Sequence, residues 1–543
     1  MPIRFGINNE YPHTMNAPQT QQLQELLRRG FQSLAAGNIP AASECCRQAL
    51  GIKPDLVEGH FLVGLVALQA KDRDNAFKAF ASVTKLQPNH GAAWAHLAKL
   101  FMNDGQVNRA DVALTEAVKH ESGNPVVQDL MGAVYTTMGE YGLAGECFEK
   151  ALQGQPDHPP FMINLANNHI YNGRIEDAEE LLQKVIAIQP NVPQAHWSLA
   201  GSRRATDDAH IEDMRRLLET ERAQPRMQAF YYYAIGKELE DLQRWDEAFE
   251  AFEAGARARR QTVEYDEDAE QEMFAYLEDN ITEDWVASGT GHDTSAPIFV
   301  LGQPRTGTTL IERIIGSHSE VHSAGELQQF SLALRRLSNH KDPRRFSAEF
   351  FAASLDLDSA KVGGLYLESC KRMRGDKERF IDKLPQNYLL IPFILKALPN
   401  AKIVHLTRDP MDACFASYKQ LFADAYLHSY DLEEMARHHC RYRHLMDVWR
   451  SRFPGRFFDI AYEDTVLDLE GRARDLIDYL GLPWEDACLR FHERSEAVST
   501  ASAVQVREPV HTRSLGRWRK YEQQLAPMKK ILADHGLIAS GQS

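Results

Sequence analysis

Residues Pro297–Ser323 read PIFVLGQPRTGTTLIERIIGSHSEVHS, and this stretch decides the fold. Ile298–Leu301 is a short apolar run bounded by proline and glycine, the pattern of a buried strand. Gly302, Gln303, Pro304, Arg305, Thr306, Gly307, Thr308 and Thr309 follow, and then Leu310, Ile311, Ile314 and Ile315 recur at helical spacing. A strand, a glycine loop and a helix in that order make an anion site. The loop N–H groups and the positive end of the helix converge on one phosphate-like group. Gly302 and Gly307 supply backbone angles that other residues avoid.

The loop comes close to G-x-x-x-x-G-K-[ST], but Thr308 stands where that motif has lysine, and the cation sits inside the loop as Arg305. This speaks against a nucleoside-triphosphate enzyme. The loop resembles the 5′-phosphosulfate loop of sulfotransferases, which bind 3′-phosphoadenosine 5′-phosphosulfate (PAPS). With arginine in the loop it looks most like the tyrosylprotein sulfotransferases and their bacterial relatives that carry tetratricopeptide repeats. The resemblance covers about residues 296–525. It implies that Gln303, Pro304, Arg305, Thr306, Gly307, Thr308 and Thr309 cradle the donor, with Arg305 also acting in catalysis.

Further stretches carry the same resemblance. Glu326, in Gly325-Glu326-Leu327, lies 21 residues after Arg305 and is implied to be the catalytic base. A phenol holds its proton near neutral pH, so attack on sulfur needs a carboxylate placed to accept it. The bland alternative is a first-turn glutamate complementing a helix dipole. Lys383, in Asp382-Lys383-Leu384-Pro385, resembles the family lysine of an N-K-x-P motif, implied to neutralise the leaving oxygen; a structural lysine at a strand end is the alternative. Arg408-Asp409-Pro410 resembles the 3′-phosphate motif, in which a serine follows eight residues after the arginine. Here that position is Ala416, and Ser417 comes next, so Ser417 is the candidate. Tyr462, in Tyr462-Glu463-Asp464, is implied to contact the nucleotide; local packing of its ring is the other reading. Ser502–Val510 resembles the segment that covers the adenosine and brings Ser502 near the sulfate, and Arg517-Trp518 stands where the family often has Lys-Trp.

Upstream, a 34-residue period runs through Ala42, Ala76, Ala110, Ala144 and Ala178. Gly30, Gly64, Ala98, Gly132, Ala166 and Ala200 keep it one helix earlier, and Pro54, Pro88, Pro156 and Pro190 close units. Small residues at these places let two antiparallel helices approach, and proline stops a helix. Length and pattern match tetratricopeptide repeats. Five full units run from about 23 to 192; a sixth degenerates around Thr206–Ala209, and a seventh returns with Gly236 and Ala248. Such an array either offers a concave groove to a peptide or protein acceptor or only stabilises or dimerises the enzyme. Asn164, Asn167 and Asn168 are candidates for the groove or for plain surface solvation. The expected division is a polar segment 1–20, repeats 21–260, a joining stretch 261–294 and a catalytic domain 295–543. Within the joining stretch, Tyr265-Asp266-Glu267-Asp268 reads as a solvated acidic helix face.

The 543 residues carry a net charge of −15, which does not suit a nucleic-acid binder and leaves room for a local basic pocket. Seven scattered cysteines give neither a disulfide framework nor a zinc spacing. His438-His439-Cys440 reads as part of a solvent-facing helix, and no metal is expected. The N-terminus lacks the apolar core of a signal peptide and no run has the length of a membrane span, so the cytoplasm is the expected compartment, unlike the anchored tyrosylprotein enzymes. The expected fold is an α-solenoid of repeats followed by a P-loop-like α/β domain with a parallel sheet. The expected activity is PAPS-dependent sulfuryl transfer to a tyrosine of a peptide or protein held by the repeats, in a chain that could also form a homodimer. A carbohydrate or lipid hydroxyl is the alternative acceptor, and a repeat scaffold with an inactive nucleotide domain the alternative class.

Overall fold

The computed structural model describes residues 17–539 apart from 122, 221–223, 343, 495 and 501. Most of the expected polar N-terminal segment lies outside the described residues. Its last four residues open helix Ala17–Ala35. The chain divides into two compact units between Thr137 and Met138.

The first unit is built of helix pairs: Ala17–Ala35 with Ile39–Ile52, Val57–Gln69 with Arg73–Leu86, and Gly91–Asn103 with Val107–His120. The period seen in the sequence is the spacing of their closest approaches. Ala42, Ala76 and Ala110 are wholly buried, and a Cβ on Gly64 would lie 2.6 Å from the Phe80 ring. A larger side chain at any of these positions would push the paired helices apart.

The second unit continues with helices Tyr141–Gly154, Pro159–Tyr171, Ile175–Ile188, Pro193–Ser202, Ala209–Thr220, Pro225–Asp241 and Trp245–Arg260. The chain leaves helix after Ser202 and re-enters it at Ala209, where the sequence loses its period. Gly236 restores the close approach, with Phe252 only 2.7 Å from where its Cβ would be. Helices Glu267–Asn280 and Glu283–Ala287 then lead to the sheet. Their acidic start is not a free solvated face. Glu267 accepts hydrogen bonds from Arg437 and Arg441 at 2.8 and 2.9 Å, while Met273, Phe274, Leu277 and Ile281 enter the core.

Five strands form one parallel sheet: β1 Pro297–Gly302, β2 Val321–Ser323, β3 Arg379–Lys383, β4 Lys402–Thr407 and β5 Phe458–Ala461, in the order β2-β3-β1-β4-β5. Helices cover both faces of β1, which is why its apolar run is continuous rather than alternating. β2 has no counterpart in the sequence reading, because three residues, Val-His-Ser, are too few to show a period. The chain runs to β3 on one side of β1 and then crosses to β4 on the other. A crevice therefore opens beyond the carboxyl ends of β1 and β4, the place where such sheets bind ligands.

The last repeat helices and the sheet domain share one apolar core. Tyr231, Tyr233, Phe249 and Phe252 pack in the same cluster as Met411, Phe415, Tyr418, Tyr521 and Leu525. All seven cysteines are buried, and no disulfide joins them. Among the described residues no helix is long and apolar enough to cross a membrane.

Candidate active site

The loop after β1 owes its shape to two glycines and one strained arginine. Gly302 has φ 144°, and a Cβ there would meet the Leu406 carbonyl oxygen at 2.6 Å. Gly307 has φ 102° and would drive a Cβ to 2.6 Å from the Tyr462 ring. Arg305, between them, holds φ 65°, a region that side-chain-bearing residues rarely adopt. Three side chains clamp the loop from within. Thr306 Oγ1 donates to the Gln303 carbonyl at 2.7 Å, Ser417 Oγ donates to the Pro304 carbonyl at 3.2 Å, and Arg408 Nη1 donates to the Arg305 carbonyl at 2.8 Å.

The loop residues thus divide into two groups. Pro304, Arg305, Gly307, Thr308 and Thr309 line a cavity of about 1120 Å³. Gln303, Thr306 and Ser417 do not: all three are buried, and at the turn of Ser417 the cavity wall is Ala416. Gln303 faces inward, where its Oε1 meets Nδ1 of His439. This corrects the reading of His438–Cys440 as solvent-facing. All three are buried in helix Leu432–Arg452, and burial drives the His439 pKa well below its usual value, so the ring is neutral and its Nδ1–H donates to Gln303.

His438 belongs to a separate cluster on the same helix. Its Nδ1 lies 2.9 Å from Glu270, which also accepts from Tyr265 at 2.8 Å and Arg441 at 2.7 Å. Glu270, His428 and His438 come close enough to suggest an ion, but the two imidazoles stack with centroids 3.4 Å apart and planes 12° from parallel. Rings so stacked cannot both aim in-plane lone pairs at one point, so the trio is arranged as a hydrogen-bonded hub.

Cations gather around the cavity. Lys383, at the carboxyl end of β3, has its Nζ 2.5 Å from Glu326 Oε1 and 3.7 Å from Glu312 Oε2. Burial works against its charge, and the two carboxylates outweigh it, so its pKa is raised. Arg305 Nη1 donates to Ser502 Oγ at 2.6 Å and Nη2 to Gln505 Oε1 at 3.3 Å. Burial and the neighbouring Arg408 lower its pKa to about 10, still charged at neutral pH. Arg408 stacks 4.8 Å over the Tyr462 ring and donates to the Ser514 carbonyl. Tyr462, the first residue after β5, thus packs against both Gly307 and Arg408 on the cavity wall. Arg517 reaches the cavity from the C-terminal segment, where Asp412 accepts hydrogen bonds from the Gly516 and Trp518 N–H groups on either side of it.

Several of these partners were not evident from the sequence. Glu312 sits in the loop helix Thr308–Gly316, where it and Arg313 are buried charges beside an apolar run. Glu240, from the repeats, is buried among Lys419 (2.6 Å), Arg517 (3.0 Å) and the Tyr521 hydroxyl (2.6 Å). Burial would raise its pKa; Lys419 and Arg517 outweigh that and leave it lowered. Glu463 accepts the Asp409 N–H at 2.8 Å, tying the Arg-Asp-Pro and Tyr-Glu-Asp stretches together. Tyr171, Trp197 and Asn167 bring the repeats to the far wall of the cavity. Asn168, by contrast, is buried and donates to the Tyr141 carbonyl.

Two stretches of the chain match known families. Residues 297–486 match the Sulfotransferase family, and residues 67–134 and 135–201 match the Tetratricopeptide repeat. An uncharacterized protein of Aquifex aeolicus (strain VF5) is 30% identical over 404 residues, covering 72% of this chain and 52% of that protein. The Protein-tyrosine sulfotransferase of Drosophila melanogaster is 22% identical over 234 residues, covering 41% of this chain and 46% of that protein. The chain thus spans about half the length of these curated relatives. A solved structure titled "Sulfotransferase Domain from the Curacin Biosynthetic Pathway" is 16% identical with a TM-score of 0.32, covering 45% of this chain and 99% of that one. With a central parallel sheet, a glycine loop at its carboxyl edge and helical repeats before it, the chain carries a sulfotransferase-family domain behind tetratricopeptide repeats.

Proposed function

We propose that the protein transfers a sulfuryl group from PAPS to a tyrosine hydroxyl of a peptide or protein. The observation that carries this reading is the meeting of Arg305, Lys383, Glu326, Arg408 and Ser502 on one cavity or its immediate margin. The donor set suits a bisphosphate nucleotide. In a chain of net charge −15, the cavity is lined by Arg305, Arg408, Lys419 and Arg517, and the buried Nε atoms of Arg408 and Arg517 have no hydrogen-bond partner. Buried donors of this kind call for an acceptor. The cavity is also larger than one small ligand requires, which leaves room for donor and acceptor side by side.

PAPS, when bound, supplies the sulfuryl group and leaves as the bisphosphate. Arg305 and the N–H groups opening helix Thr308–Gly316 hold the negative charge of the transferring group. Arg408, stacked on Tyr462, and Arg517 hold the remaining phosphate as charged forked donors. Lys383 neutralises charge on the leaving oxygen, and Ser502 fixes the Arg305 guanidinium. Glu326, half exposed on the cavity wall, takes the phenolic proton on its carboxylate once it parts from Lys383. Tyr171 and Trp197 give the acceptor side an aromatic repeat wall, and the named tyrosine sulfotransferases among the relatives support the same acceptor class.

Calorimetry is expected to show adenosine 3′,5′-bisphosphate binding well and ATP poorly. Transfer from PAPS to a tyrosine-containing peptide should fall about 10²–10⁴-fold in Glu326→Gln, the usual size of general base catalysis, with bisphosphate binding kept. Tight ATP binding with hydrolysis would refute the reading.

A further inference from the structure

Lys383 meets two carboxylates, and they differ in kind. Glu326 is 45% exposed and lines the cavity, whereas Glu312 is 8% exposed and does not. Glu312 is fixed from behind: its Oε1 accepts from Ser323 Oγ at 2.6 Å, at the last residue of β2. The pair Ser323–Glu312 therefore joins β2, the loop helix and the lysine of β3 in one line. If Glu326 is the base of the transfer proposed above, it must turn away from Lys383 to take a proton. The ammonium, 1% exposed, would then face the cost of burial without that partner.

We infer that Glu312 is a positioning residue that keeps Lys383 charged and aimed at the reacting group while Glu326 serves the acceptor; this rests on the sulfuryl-transfer reading. The titratable groups around Lys383 can be named from every element packed against it, Asp382 lying on the other face of the strand. Glu312 comes from the loop helix, Glu326 from the segment after β2, Asp382 from β3 itself and Tyr141 from a repeat helix. Asp382 is wholly buried, and burial keeps it protonated to about pH 8. Tyr141 is kept neutral by burial, with its hydroxyl donating to Ser499. Glu312 is thus the full negative charge left beside Lys383 at neutral pH when Glu326 moves.

The test is the alkaline limb of the pH profile, read in the full chain in two ways. One is binding of adenosine 3′,5′-bisphosphate by calorimetry above pH 7, where its phosphates are fully ionised. The other is the rate of transfer from PAPS to p-cresol. Glu312→Gln should move both limbs down by about 1 pH unit or more, the size of one neighbouring opposite charge. Glu312→Asp should restore them in part, and Ser323→Ala should move them the same way by less. A Glu312→Gln protein that melts like wild type and keeps the wild-type limb overturns the inference. Should that variant not fold, an unmoved limb in Ser323→Ala overturns it instead. If wild type binds no bisphosphate at any pH, the transfer reading falls and takes this inference with it; if wild type binds and the limb stays, only this inference falls.

Discussion

Asp382 stands beside Lys383, wholly buried, with the Tyr366 hydroxyl donating to it at 3.0 Å and the Asn387 amide at 3.4 Å. Burial pushes its pKa up to about 8, and the hydrogen bonds and Lys383 offset only part of that. A neutral aspartic acid has nearly the shape of asparagine, which explains how Asp-Lys-Leu-Pro stands in for a motif that begins with asparagine. The consequence for stability has a definite sign. Between about pH 4, where an unfolded carboxylate titrates, and pH 8, the folded chain keeps a proton that the unfolded chain has released. Stability from this group therefore falls as pH rises through that window. Asp382→Asn should melt progressively higher than wild type as pH goes from 5 to 8. Parallel melting curves across that range, followed by scanning fluorimetry, would show the carboxyl to be ionised in the fold. Ser417 teaches a related lesson at the same scale. It stands one residue out of the motif's register, and its hydroxyl donates to the Pro304 carbonyl.

Among the elements, β1 with its loop and helix was the most legible in the sequence, because few residue types satisfy its backbone. Gly307 shows how tight that requirement is. Gly307→Ala meets both an unfavourable φ of 102° and the Tyr462 ring 2.6 Å from the new Cβ. We expect a loss of about 1–3 kcal/mol in stability and weakened bisphosphate binding, since Tyr462 must shift and Arg408 stacks on it. Denaturant titration with calorimetry measures both, and wild-type values in both would show that the loop tolerates the methyl group. Lys383, Arg408 and Tyr462 stand at or just after the end of a strand, where a short motif can be recognised. Glu312 and Glu240 were not legible, since nothing near them in the chain reveals the lysines and arginine they meet. Helix Leu432–Arg452 misled because His438 and His439 look solvated, whereas the distant Glu270 and Gln303 give them partners in the core.

For the whole molecule, the decisive fact is the core shared by the last repeats and the sheet domain. Removing the repeats would uncover Met411, Phe415, Tyr418 and Tyr521 by taking away Tyr231, Tyr233, Phe249 and Phe252. It would also strip Glu240 from Lys419, whose pKa burial already pulls down to about 8. A buried ion pair broken on one side costs about 3–5 kcal/mol. A fragment of residues 285–543 should therefore aggregate or melt without cooperativity, whereas one of residues 138–543 should run as a single species and bind adenosine 3′,5′-bisphosphate. Size-exclusion chromatography with scanning fluorimetry distinguishes these outcomes; a monodisperse, cooperatively melting short fragment would mean that the shared core is dispensable.

The division between Thr137 and Met138 also says where such a chain is free to vary in length. A helical repeat that buries its face only against its neighbours can be duplicated or lost as a unit. One that also forms the wall of a sheet domain is locked in place. Gain or loss of 34-residue units is therefore expected on the N-terminal side of that division, and foreign repeats grafted onto the chain should be spliced there.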